Sequence, residues 1–208
     1  MACLLQSTGL KMAHHSSIPV SDEGLIEKKV ESVTLHEGKF LTFKRDTVEL
    51  PDGKHSTREF VEHPGAVMIL PLFDDGRVLL ERQFRYPVGR VLEFPAGKLD
   101  PNEDELTCAK RELQEETGYT AREWTFLTRI HPVISYSTEF IDLYLARGLT
   151  AGDARLEGEF LETFVADEAQ LMNWVKDGSI SDVKTIIGVF WLEKIRSGEW
   201  KAGGPAKG

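Results

Sequence analysis

The stretch Arg111-Glu112-Leu113-Gln114-Glu115-Glu116-Thr117-Gly118 sets carboxylates at 112, 115 and 116, the i, i+3 and i+4 spacing of one helical face. Leu106, Ala109 and Leu113 form an adjoining apolar stripe, which seats such a helix on a sheet and fixes where the acidic face points. Gly118 supplies the stop, and Asn102 with Glu105 or Asp100 with Glu103 can cap the start. Like charges at this spacing destabilise a helix by roughly 0.2–0.5 kcal/mol per pair, and carboxylates near its C-terminal end oppose the macrodipole. Bound Mg²⁺ or Mn²⁺ offsets both effects, because hard divalent cations prefer carboxylate oxygens and can bridge them to phosphates. Taken alone, three glutamates more often describe a solvated acidic face.

Working outward, Val91-Leu92-Glu93-Phe94 reads as a strand that runs through Pro95-Ala96-Gly97 into a loop and then the helix. Upstream, Gly65 to Leu72 is an apolar run suited to a buried strand, and Asp74-Asp75-Gly76 turns it into Arg77-Val78-Leu79-Leu80-Glu81, a hairpin. Downstream, strands are expected at Trp124 to Ile130, Phe140 to Ala146 and Leu161 to Val165. Two helices follow, one opening at the capping box Asp167 to Gln170 and one over Asp182 to Arg196. From Glu27 to His63 the sequence alternates in strand fashion around a turn at Pro51-Asp52-Gly53-Lys54. Two or three such strands bury too little to stand alone, so they are expected to pack on the main domain or on a second subunit. The order of elements is an α+β pattern with a mixed sheet. It divides into a tail over 1–24, antiparallel strands expected to serve in dimerisation over 25–62, a main domain over 63–200 and a tail over 201–208.

A formal net charge of −9 argues against a protein that grips nucleic acid by its phosphates, which needs clustered Lys and Arg. A small phosphorylated substrate stays compatible, since a few arginines and divalent cations neutralise it locally. The two cysteines, Cys3 and Cys108, make neither a disulfide framework nor a metal-ligand spacing, and no apolar run has the length of a signal peptide or a membrane span. A cytoplasmic protein without membrane or nucleic-acid partners is the expectation.

From Gly97 the fixed positions fall at Glu103, Arg111-Glu112, Glu115-Glu116 and Gly118, with Tyr119 after them. This pattern resembles the Nudix box of hydrolases acting on nucleoside diphosphates linked to a further moiety. Every Gly, Glu and Arg position matches, and Tyr119 departs as an aromatic where a smaller aliphatic residue is usual. Chance agreement of the seven fixed residues at a given start is on the order of 10⁻⁸. The resemblance implies a Nudix-like α/β/α sandwich in which a loop, helix, loop element holds the metal. Its ligand candidates are Glu112, Glu115, Glu116 and the Ala96 carbonyl, while Arg111 and Glu103 brace the motif.

Further segments are similar to the ADP-ribose pyrophosphatase branch of that family: Arg58 to Val67, Glu93 to Gly97, and Pro132. Pro132 stands thirteen positions after the box, where the branch places a proline about fifteen or sixteen on. A sugar diphosphate needs donors for its phosphate oxygens, and Arg58 and Arg85 each lie beside a strand leading toward the box. Glu93 is positioned to accept from a ribose hydroxyl or to bind a box residue. The resemblance places the base that activates water in the loop Leu156 to Glu162: Glu157 is the first candidate, Glu159 a further metal contact, and Glu139 the rival base. The expected reaction is hydrolysis of ADP-ribose to AMP and ribose 5-phosphate by a Mg²⁺-dependent homodimer, Mn²⁺ being an alternative metal. GDP-mannose, a dinucleotide such as NADH, or a Nudix-fold nucleotide-binding regulator without turnover are the alternatives.

Overall fold

A computed structural model describes residues 22, 24–86, 88–156, 158 and 160–203. The alternating N-terminal segment forms β1 (Lys28–Glu37), β2 (Thr42–Glu49) and β3 (His55–Glu62), a separate three-stranded antiparallel sheet in the order β1-β2-β3. All ten residues of β1 are exposed, including Val30, Val33 and Leu35, so this strand finds no cover among the described residues. The end of β3 is tied down instead. The Val61 N–H donates to the Tyr136 carbonyl and the Thr138 N–H to the Val61 carbonyl, which fixes the 131–140 loop beside it.

The apolar run becomes β4 (Ala66–Leu72), buried along its whole length. A strand buried on both faces needs two apolar layers, and its alternation assigns them. Val67 and Ile69 pack with Cys108, Ala109 and Leu113 of α1 (Glu105–Thr117). Met68 and Leu70 pack on the opposite side with Leu171 of α2 (Glu168–Lys176) and Val189 and Leu192 of α3 (Val183–Arg196). The result is an α+β sandwich with one helix on one face and two on the other.

Between these layers lies a seven-stranded mixed sheet. Besides β4 it contains β5 (Val78–Arg85), β6 (Gly89–Glu93), β7 (Ala96–Lys98), β8 (Thr120–Ile130), β9 (Ile141–Thr150) and β10 (Leu161–Ala166). The expected hairpin exists only at its turn, where Leu72 pairs with Val78. Beyond it β4 pairs with β9 in parallel and with β7, while β5 takes β6 and β10. The two strands diverge because each has a better-matched neighbour over its length.

Two local expectations change. Ala96 to Lys98 is a short strand rather than loop, recruited by pairing with β4. The cap of α1 is Asp104, whose carboxylate accepts from the Thr107 N–H, and neither Asp100 nor Asn102. Asn102 instead adopts a φ of 65° in the preceding turn. The remaining signals hold: Gly118 ends α1 in the left-handed region at φ 76°, and Asp167 and Gln170 form the reciprocal capping box of α2.

Candidate active site

At the end of β6 the chain bends through Pro95 into β7. The Ile69 N–H donates to the Pro95 carbonyl at 2.8 Å, and Ala96 and Gly97 pair with Met68 and Val67. Packing on this bend is the acidic face of α1. Glu116 accepts from the Ala96 N–H at 3.1 Å. A Cβ on Gly97 would stand 1.8 Å from the Glu112 carboxyl carbon, so glycine is required here for space; its φ is not in the left-handed region. Glu112 and Glu116, singled out by spacing, and Ala96, implied by the family resemblance, are thereby brought together.

Glu115 stands further out, with 34% of its side chain exposed against 12% for Glu112. Both are bridged by Arg111, whose Nη1 lies 2.8 Å from Glu112 and 3.1 Å from Glu115. The same guanidinium makes two bonds to Glu103, at 2.9 and 2.8 Å, and one to the Lys98 carbonyl at 3.2 Å. It braces helix to loop and offsets the like charges of the acidic face. The hydrogen bond to Glu103 chiefly pushes the Arg111 pKa up, burial opposes it, and Glu112 adds to the rise. In return Arg111 holds the Glu103 carboxyl below its ordinary range. No group of three or more His, Cys, Asp or Glu among the described residues is arranged to hold a metal ion.

A second charged group lies behind the bend. Glu93 is 1% exposed; Arg85 Nε donates to one of its oxygens at 2.7 Å and Lys184 Nζ donates to the other. Neither cation belongs to the box. Lys184 also pairs at 3.0 Å with Asp182, the N-cap of α3, and Thr185 Oγ1 of the same turn accepts from the buried Phe94 N–H at 3.1 Å. Glu81, fully buried, is the cross-strand partner of Glu93. Burial by itself lowers the Arg85 pKa, but Glu93, Glu81 and Glu116 more than reverse that and leave it raised. Lys184 behaves alike: burial lowers its pKa, and Glu93 and Asp182 turn the net shift upward.

Glu81, Asp182 and Lys184 are the members of this group that sequence reasoning did not single out as site residues. One signal was present, because Lys184 follows the cap Asp182 by two residues. A cation in the first turn opposes the helix dipole and calls for anions nearby.

Arg58 stays with the N-terminal segment, bonded to Glu27, Ser56 and the Thr57 carbonyl. Glu139 sits on the loop fixed against β3, 3.8 Å from His63 Nε2. His63 Nδ1 accepts from the Gly65 N–H at 3.0 Å. Burial lowers the His63 pKa most, Glu139 acts against this, and Lys98 of β7 adds to the lowering. Glu157 and Glu159 lie outside the described residues.

A family model of the NUDIX domain matches residues 62–193, more than half of the chain. The chain belongs to the Nudix family. Ahead of that domain, residues 27–61 match the nucleoside diphosphate sugar hydrolase N-terminal domain. This Nudix hydrolase is 35% identical over 175 residues to an ADP-ribose pyrophosphatase of Bacillus subtilis (strain 168), covering 82% of this chain and 95% of that one. It is 33% identical over 171 residues to a methanol dehydrogenase activator of Bacillus methanolicus, covering 80% and 92%. A crystal structure of an ADP compounds hydrolase matches it with a TM-score of 0.73 at 25% identity, over 83% of this chain and 95% of that one. Divalent metal ions are the general cofactor of Nudix hydrolases. No helix among the described residues of this one is long and apolar enough to cross a membrane.

Proposed function

We propose that this Nudix hydrolase cleaves the diphosphate of ADP-ribose, or of a similar nucleoside diphosphate sugar, releasing AMP and ribose 5-phosphate. The observation that carries the reading is the fit of Glu112 and Glu116 against the Ala96–Gly97 bend. The similarity to an ADP-ribose pyrophosphatase along nearly its whole length supports the substrate class.

The donor types suit a hard cation, being carboxylates and a backbone carbonyl, and Glu116 is already bonded to the N–H of the residue that would offer that carbonyl. Mg²⁺, or Mn²⁺ in its place, would be held by Glu112, Glu116, the Ala96 carbonyl and Glu115, with Glu159 as a further contact. Such an ion supplies charge stabilisation at the phosphate oxygens. Gly97 supports this assignment, because any larger residue would push the Glu112 carboxylate off the bend.

Arg85 supplies phosphate donors. It uses Nε on Glu93 while 41% of its side chain is exposed, and its two Nη groups make no hydrogen bond among the described residues. Two parallel N–H groups match a phosphate edge. Arg58 serves the same anion if it acts across a dimer, for which the exposed Leu25, Ile26, Val30 and Val33 of the N-terminal segment form the apolar surface. Water must lose a proton as it attacks phosphorus, and Glu157 is the first candidate to accept it. Glu139, held beside His63, is the second. The low cysteine content is compatible with a cytoplasmic enzyme, which is the compartment we assign to it.

Incubation of purified protein with ADP-ribose and Mg²⁺, followed by chromatography, should yield AMP and ribose 5-phosphate in equal amounts. Absence of AMP under excess enzyme, while GDP-mannose or NADH is cleaved, would transfer the assignment to that substrate.

A further inference from the structure

We infer that Lys184 is a positioning residue that sets the reach of Arg85 by occupying the second oxygen of Glu93. The inference rests on the proposed role of Arg85 at the substrate phosphates.

Lys184 is an unfavourable residue for its place. It lies in the first turn of α3, where the helix dipole repels a cation, and its side chain is only 12% exposed. Hydrophobic residues of similar length fill such positions without that desolvation penalty. What the ammonium contributes is specific to its partner. Glu93 has two oxygens and two cations, one for each: Arg85 Nε on Oε1 and Lys184 Nζ on Oε2.

An isolated Arg–carboxylate pair favours two parallel bonds, with a terminal nitrogen joining Nε. Lys184 blocks that arrangement by holding Oε2. Arg85 then meets Glu93 with a single bond through Nε, and its terminal nitrogens make no hydrogen bond to Glu93. Without Lys184, Oε2 is free to take an Arg85 Nη, and the guanidinium turns inward toward the buried carboxylates Glu93 and Glu81. Asp182 and Thr185 keep the relay in register, the first bonded to Lys184 at 3.0 Å and the second to the Phe94 backbone at 3.1 Å. The first turn of a C-terminal helix thus controls a side chain on β5 without touching the ligand.

The test is calorimetric titration of ADP-ribose into the full-length protein in EDTA, which reads binding apart from turnover. Lys184→Met should raise Kd about tenfold, and Lys184→Arg should stay within threefold of the parent. In a Glu93→Gln background, where the carboxylate shared by Arg85 and Lys184 is gone, adding Lys184→Met should change Kd by less than twofold. Should Lys184→Met fold poorly, Lys184→Gln puts a weaker neutral donor in place of the ammonium, which an Arg85 Nη can displace from Oε2, so it should still weaken binding, by less than Lys184→Met. Parent-like affinity in Lys184→Met, with Arg85→Met clearly weakened, would overturn the relay and leave the proposed function standing. Parent-like affinity in Arg85→Met would instead remove Arg85 from phosphate binding, and the relay with it.

Discussion

The bend at Pro95-Ala96-Gly97 separates two groups of glutamates that meet opposite fates. On α1, Glu112, Glu115 and Glu116 share one face, and the cation bonded to Glu112 and Glu115, Arg111, divides itself among several acceptors including Glu103 and the Lys98 carbonyl. Behind the bend, Glu81 and Glu93 are 0% and 1% exposed, and Glu93 holds a separate cation on each oxygen. Burial explains the difference. A carboxylate cut off from water must be compensated by the protein itself, whereas one at a rim can keep its charge for an ion from solution. Residue type is the same in both groups; depth assigns the task. Glu116 belongs to both, since it is 4% exposed, bonds the Ala96 N–H and acts electrostatically on Arg85.

That double membership makes Glu116 the place where the comparison breaks most readily. Glu116→Gln keeps an acceptor for the Ala96 N–H and so should leave the thermal midpoint nearly unchanged. Removal of its charge should lower kcat/KM for ADP-ribose by about 10²–10³-fold, on the order of 3–4 kcal/mol in the transition state. Steady-state assays with saturating Mg²⁺ check this. Activity within threefold of the parent would show that the charge on this side of the bend is not needed.

Gly97→Ala attacks the same junction sterically. The new methyl would meet the Glu112 carboxyl group at 1.8 Å, so the carboxylate must leave its seat on the bend or helix and bend must separate. Overpacking of this kind costs about 1–3 kcal/mol, and a chain of this length loses about 2–4 °C in Tm per kcal/mol. Activity should fall more than stability does, by at least tenfold, because Glu112 is moved relative to Ala96. Differential scanning calorimetry beside the activity assay separates the two effects. An intact activity with an unchanged Tm would mean that Glu112 does not need this seat.

What the sequence disclosed follows the same division between local and distant causes. The buried β4, the glycine stop of α1 and the capping box of α2 rest on signals a few residues long, and each stands where its signal lies. The α1 cap was less legible, because Asp100, Asn102 and Asp104 are all competent and only the turn at Asn102 selects among them. The strand β7 has three residues including a glycine, and it exists because β4 offers a free edge. Within the site, Glu112, Glu116 and Ala96 are connected by spacing along one loop and one helix. Lys184 reaches Glu93 across 91 residues of sequence, and Glu81 meets it through strand register. Neither pairing is written in any local pattern.

The smallest expected effect concerns Glu103, which keeps Arg111 from collapsing onto the acidic face. Its pKa lies below the ordinary value of 4.5, first because Arg111 donates to it. Between the lowered and the ordinary value the unfolded chain therefore binds more protons than the native one. The stability from this pair is fully present above about pH 4.5 and drains away as pH falls through the folded pKa. Glu103→Gln should cost about 1 kcal/mol at pH 7, and the gap from the parent should close in more acidic solution. Urea unfolding at pH 7 and at pH 3.5 measures both ends, and an equal gap at the two would assign the loss to packing rather than to charge. The variant also sharpens the contrast between the two groups of glutamates. Released from Glu103, Arg111 is free to sit more fully on Glu112 and Glu115, so a moderately higher Mg²⁺ requirement should accompany the small loss of stability.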